Sequence, residues 1–235
     1  MIINKGHPKY IKFIKKELKT LEFLCNNSFI SNPFVELSRD AYNLVNNSPN
    51  KEKHLASLPF TFQSNFEIEI QGKVKKLIIG ANVTPNFSIA TYLLAICNLE
   101  DNDTRLIRKF HFDYAIQSNN DEEPKPIYHL QYGGKESPLL TSLNIKGDHL
   151  HPWLSLPRII YSPINLALFL DMIFCEFRND TTIKICRREE WREFIKENED
   201  FILCPFYLQF AEFIKHKHSS EHLVRDYYYG NQSIQ

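Results

Sequence analysis

Hydrophobic positions change period twice along the chain. Between Lys9 and Cys25, Tyr10, Ile14, Leu18, Leu21 and Leu24 or Cys25 recur every three or four residues, which predicts an amphipathic helix. Lys12, Lys15, Lys16 and Lys19 fall on the other side, as a solvated face or as a basic face for phosphate or an acidic partner. Phe34 to Val45 predicts a shorter second helix, ended by the turn formers Asn46-Asn-Ser-Pro-Asn50. From Phe60 the period becomes two. Phe60-Thr-Phe-Gln and Phe66-Glu-Ile-Glu-Ile alternate, the pattern breaks at Gln71-Gly72, and it resumes through Lys76-Leu-Ile-Ile-Gly80. That predicts a hairpin with Gly72 at its turn. The apolar run Thr91–Leu99 predicts a central strand, with Glu100-Asp-Asn-Asp103 as its exit turn. Arg108–Ile116 and Ile127–Gly133 predict two more strands, joined by the polar loop Gln117–Pro126.

After Gly134 the chain reads as irregular up to Arg158. Ser162 as N-cap and Pro163 at the first helical position then predict a third helix. It is apolar nearly all round from Ile164 to Phe177, which places it centrally. Asp171 sits inside that run and, if buried, needs a partner; the readings are an ion pair with Arg158 or a histidine, which is preferred, or a place on the exposed seam of the helix. Glu190–Glu197 and Phe206–Lys217 predict further helices, and a loose tail follows from Asp226. Helices, then an antiparallel meander, then helices, is the α+β pattern. The reading is one α+β domain over 1–235: helical over 1–50, sheet over 57–135, helical over 160–225, tail over 226–235.

Composition narrows the function classes. Hydrophobic residues at 43% and aromatics at 13% exclude a disordered chain. Twenty-eight Lys and Arg against 28 Asp and Glu exclude a uniformly basic nucleic-acid coat, though not a local patch. No apolar run reaches the roughly 20 residues of a membrane span, and no signal segment is apparent. The expectation is a cytoplasmic protein without membrane contact. Five cysteines are an odd number without CxxC spacing. They read as reduced core thiols rather than zinc ligands, and no metal or other cofactor is expected. The absence of GxSxG, Walker, GxGxxG and HExxH patterns disfavours the enzyme classes that use them.

Polar chemistry concentrates in one predicted hairpin. In Phe110-His-Phe-Asp-Tyr114, His111 and Asp113 point away from the aromatic positions; in Tyr128-His-Leu-Gln-Tyr132, His129 and Gln131 do the same. A hairpin centred near Asp121 sets Asp113 opposite His129 and His111 opposite Gln131. Opposed Cβ atoms then lie about 5 Å apart. A carboxylate beside an imidazole can fix its tautomer and leave the second nitrogen to move protons. The same groups are also donors for a metal. Equally, they are ordinary residues for the wet face of an antiparallel sheet. In Asp148-His-Leu-His-Pro-Trp153, His149 and His151 share a side if extended, and His151 is the candidate to complete the site. Arg158 is placed to hold phosphate or a developing oxyanion. Two weaker signals are His216, His218 and His222 at a polar helix end, and the Tyr227-Tyr-Tyr229 triplet. The triplet could stack on bases or cover an apolar edge.

The pieces His111-Phe-Asp-Tyr114, His129-Leu-Gln131, Pro157-Arg158 and Ser162-Pro163 with its helix resemble a pattern in small uncharacterised bacterial proteins. The hairpin with His149-Leu-His151 also resembles the TumE-like toxin family of bacterial toxin–antitoxin pairs. That resemblance, confined to the stretch from His111 to Phe177, implies a role in bacterial conflict or defence and cleavage of RNA. On that reading His129 is the general acid or base, Asp113 orients it, His111 is the complementary acid and Arg158 stabilises phosphate charge. Metal-independent cleavage needs no more, because the ribose 2′-OH is the nucleophile. The alternative is a non-catalytic interaction module, docking a protein partner encoded nearby, an antitoxin or a defence subunit. An open cleft around both histidines favours the enzyme; a covered polar face favours the module.

Overall fold

The computed structural model of the chain describes residues 7–27, 59–70, 72–85, 89–100, 103–115, 127–133, 158–217 and 227–228. Within them the α+β architecture is realised as six antiparallel strands in sequence order and a set of helices. The strands are β1 (Phe60–Ile70), β2 (Lys73–Val83), β3 (Ile89–Glu100), β4 (Asp103–Ala115), β5 (Tyr128–Tyr132) and β6 (Arg158–Ile160). The helices are α1 (His7–Asn26), α2 (Leu166–Glu176), α3 (Asp180–Cys186), α4 (Glu189–Asn198) and α5 (Cys204–His216). The second predicted helix, Phe34 to Val45, lies outside the described residues, as does the polar loop between β4 and β5.

Alternation decides which sheet face meets the helices. Phe62, Ala81, Tyr92 and Phe112 form one cross-strand row, and Phe60, Val83, Ala90, Tyr114 and Tyr128 form the next. All nine are buried in one apolar cluster with Tyr10, Ile14, Leu18, Leu21 and Leu24 of α1 and Phe169, Leu170 and Phe174 of α2. The α1 stripe is therefore the buried face that its three-and-four spacing predicts. The β1–β2 turn carries Gly72 at φ +71°, the left-handed region that glycine enters without Cβ strain.

Four sequence-derived boundaries move. Strand β4 begins at Asp103, five residues before the predicted Arg108. A bulge beside Ile96 and Cys97 shifts the register there, so the sequence Asp103-Thr-Arg-Leu-Ile-Arg shows no clean alternation. Strand β6 occupies a stretch expected to lead straight into a helix; the β-branched pair Ile159-Ile160 was its signal. Helix α2 starts at Leu166 with Asn165, not Ser162, as its N-cap. The Asn165 side chain accepts from Leu168 N at 3.1 Å, and its amide donates to Asn198 Oδ1 at 2.7 Å. A residue that caps one helix and ties it to the end of another outcompetes a serine three positions earlier. Finally, α4 runs into α5 through a π-helical turn, Glu199–Leu203. Pro205 lacks an N–H and its ring would clash with the carbonyl of Phe201 in a regular helix, so the wider turn accommodates it.

The basic face of α1 is not a free stripe. Lys16 lies 3.5 Å and Lys19 3.6 Å from the Glu197 carboxylate, while Lys12 and Lys16 sit over the Phe201 ring. These lysines dock α1 on α4 and the π turn, with cation–π contacts of about 0.5–1 kcal/mol each at such sites.

Candidate functional site

The hairpin register is the one that a centre near Asp121 predicts. Asp113 pairs with His129, His111 with Gln131, and Phe110 with Tyr132. The row through the site runs Asn82, Thr91, Asp113, His129, Ile160, and the next runs Gly80, Leu93, His111, Gln131, Arg158. His111, Asp113 and His129 thus share the sheet face that points away from the helices. His129 Nε2 stands 3.7 Å from Asp113 Oδ2, an ion-pair distance that is long for a hydrogen bond.

This face is not the wet one expected. His129 is 4% exposed and Lys109 2%, and Ile78, Leu93, Ala95, Cys97 and Leu106 form a second buried apolar cluster on it. His111 Nε2 is sealed from solvent and has no hydrogen-bond partner among the described residues. Burial lowers the His111 pKa to about 4; Lys109 and His129 push the same way, and Asp113 opposes them. At neutral pH the ring is therefore neutral. Asp113, the carboxylate of the group, has 18% of its side chain exposed against 3% for His129. Lys109 is the residue that sequence reading missed. Its signal was available, because Lys109, His111 and Asp113 continue the same alternation.

The structure joins the remaining candidates to this group only in part. The backbone of Arg158 lies in β6 opposite Gln131, one row from the Asp113–His129 pair, and its side chain is outside the described residues. His149 and His151 are outside the described residues, and so are His218 and His222. His216 pairs with Glu212 at 3.2 Å on an exposed helix end. Asp171 forms no ion pair of the expected kind among the described residues. It accepts instead from the Trp191 indole at 2.8 Å. The cysteines are free, but they are not uniformly core thiols: Cys97 is buried, whereas Cys175 and Cys204 are exposed. The tyrosine triplet is described at Tyr227 and Tyr228, whose rings cover Phe210 of α5 at 4.9 and 5.8 Å.

A pocket lies against the same strands, lined by Tyr92, Phe112, Tyr114 and Tyr128, by Asp113 and His129 of the candidate site, and by Phe13, Pro163 and Ile202 from the helical side. Its free space is about 20 Å³, room for about one water molecule. His129 and Asp113 border this pocket, and His111 does not.

A second buried polar group sits nearby. Glu17 is fully buried on α1, and both carboxylate oxygens accept from Leu166 N at 3.1–3.2 Å, at the start of α2. The Tyr92 hydroxyl lies beside this carboxyl without reaching hydrogen-bond geometry. Burial raises the Glu17 pKa to about 8, although the Leu166 N–H favours the anion.

No protein-family model matches the chain, and neither a curated protein nor a solved structure matches it significantly. The likeness to TumE-like toxins rests on the motifs quoted above. No helix among the described residues is long and apolar enough to cross a membrane.

Proposed function

We propose that the chain is a non-catalytic partner-binding module, an accessory subunit of a bacterial defence or toxin–antitoxin type system. The observation that carries this reading is the closure of the polar hairpin face. An RNA strand must reach both an acid and a base, and here His129 is buried and His111 presents a sealed Nε2. The surface offers something different. Tyr207, Leu208, Ala211 and Ile214 form an exposed apolar stripe along α5, with Leu208 67% exposed. The adjoining Phe206, Phe210 and Phe213 face of α5 is already occupied by Tyr227 and Tyr228. A helix with an apolar stripe at this spacing suits a groove or helix on a partner protein. Co-expression with the products of neighbouring genes tests it. The expected result is a stoichiometric complex that Leu208→Asp with Ile214→Asp abolishes while the fold persists. A wild-type chain that stays alone with every neighbour contradicts the reading.

One observation favours a second reading, metal-independent cleavage of RNA. The Asp113–His129 pair stands at 3.7 Å with His111 on the same face. On that reading His129 moves the proton, Asp113 orients it, His111 is the complementary acid, and Arg158 meets the phosphate. Its test is hydrolysis of single-stranded RNA by the purified protein. Cleavage by the wild type that is lost in a folded Asp113→Asn variant supports the enzyme; cleavage by neither removes it.

A further inference from the structure

Three potential ligands converge at the other end of the helical layer. Asp171 and Cys175 are four residues apart on α2 and so share a helix face. Cys186 is the last residue of α3, which packs back against α2. A carboxylate oxygen of Asp171 and the two sulfurs all lie within 4.8 Å of one another. We propose that Asp171, Cys175 and Cys186 form a binding site for a thiophilic divalent metal ion, Zn²⁺ being the fitting chemistry, with water in the fourth position.

The spacing is close to what such an ion needs. Zn–S bonds of about 2.3 Å in a tetrahedron put two sulfurs about 3.8 Å apart, so closure takes about 1 Å of side-chain movement. The surroundings support the ligands. Trp191 donates its indole N–H to Asp171 Oδ1 at 2.8 Å, the kind of outer bond that fixes a ligating carboxylate. Arg178 lies beside both thiols and is held by a bond from Nε to the Cys175 carbonyl at 3.2 Å. Two thiolates and a carboxylate on a dication leave one net negative charge, and the guanidinium is placed to balance it. Binding forms two Zn–S bonds and one Zn–O bond and releases two thiol protons to water. Cys175 is exposed and Cys186 half-buried, so an ion can enter without unfolding the chain.

The experiment is a Co²⁺ titration of the reduced full chain, followed by absorption. One equivalent should saturate thiolate-to-cobalt charge-transfer bands and intense tetrahedral ligand-field bands, and Zn²⁺ should displace both. Cys175→Ser and Cys186→Ser should each lose the charge-transfer signal of a two-thiolate site, while Cys204→Ser keeps it. Asp171→Asn retains an acceptor for Trp191 and therefore the fold, and it should weaken uptake. Absence of the bands in the reduced protein overturns the proposal. So does a signal that persists in both cysteine variants. A protein that takes up no Co²⁺ but loses both thiols together on mild oxidation carries a disulfide pair instead, which also overturns it.

Discussion

Glu17 is the residue whose chemistry is most at odds with its place. It stands on the buried stripe of α1, between Ile14 and Leu21, where spacing asks for an apolar side chain. That oddity was legible in the sequence, because position 17 falls on the stripe. Its partner was not, since Leu166 is 149 residues away. The folded chain holds the Glu17 proton up to about pH 8, whereas the ordinary value is 4.5. The stability this group supports is therefore complete below 4.5 and is lost as pH rises through 8. Glu17→Gln keeps an acceptor for Leu166 N and cannot ionise. It should flatten the fall in unfolding free energy between pH 5 and 9, measured by denaturant melts; a parallel fall in both proteins would contradict the assignment. Glu17→Ala removes the acceptor and leaves a cavity, and should cost about 2–4 kcal/mol at pH 6.

At the scale of elements, the strands were the most legible part. Period-two alternation in Phe110–Tyr114 and Tyr128–Tyr132 set both the faces and, with the assumed centre, the observed pairing of Asp113 with His129. Helix starts were less legible. Ser162-Pro163 is a sound local signal, but Asn165 is chosen by a tertiary contact to Asn198 that no local pattern contains. Asn165→Ala loses the cap on Leu168 N and strands the Asn198 amide oxygen. We expect about 1–3 kcal/mol lower stability by thermal or urea unfolding. In the β1–β2 turn nothing lies near a Cβ added at Gly72, so Gly72→Ala meets only backbone strain at φ +71° and should cost about 1 kcal/mol. On α5, Leu208→Asp and Ile214→Asp lie on an exposed stripe and should leave the unfolding midpoint nearly unchanged.

For the whole molecule, the decisive feature is a sheet buried on one face and, at its centre, on the other as well; the outer positions Thr61, Asn65, Glu67 and Asn82 stay exposed. One face carries the large aromatic cluster against the helices, and the other carries Ile78, Leu93, Ala95, Cys97 and Leu106 beside Lys109 and His129. Alternation assigned residues to faces correctly. It could not say that the polar face would be dry, because burial of a face depends on what packs over it and not on the strand's own sequence. The hint lay in β3, where Leu93, Ala95 and Cys97 make the second face apolar at the centre of the sheet. The buried His129 and the sealed His111 Nε2 are the observations on which the proposed partner-binding role rests.

Titration of the His111 ring by NMR tests that closure most directly. A neutral His111 with its Nε2 sealed from solvent keeps its charge state from pH 8 down to about 5, and titrates near 4. Because the unfolded ring ionises near 6.5, stability present above that pH is lost as pH falls through 4, and His111→Leu should lessen the loss. An ordinary titration of His111 near pH 6.5 in the folded protein would contradict the account, since it would mean that solvent, and so a substrate, reaches the hairpin face.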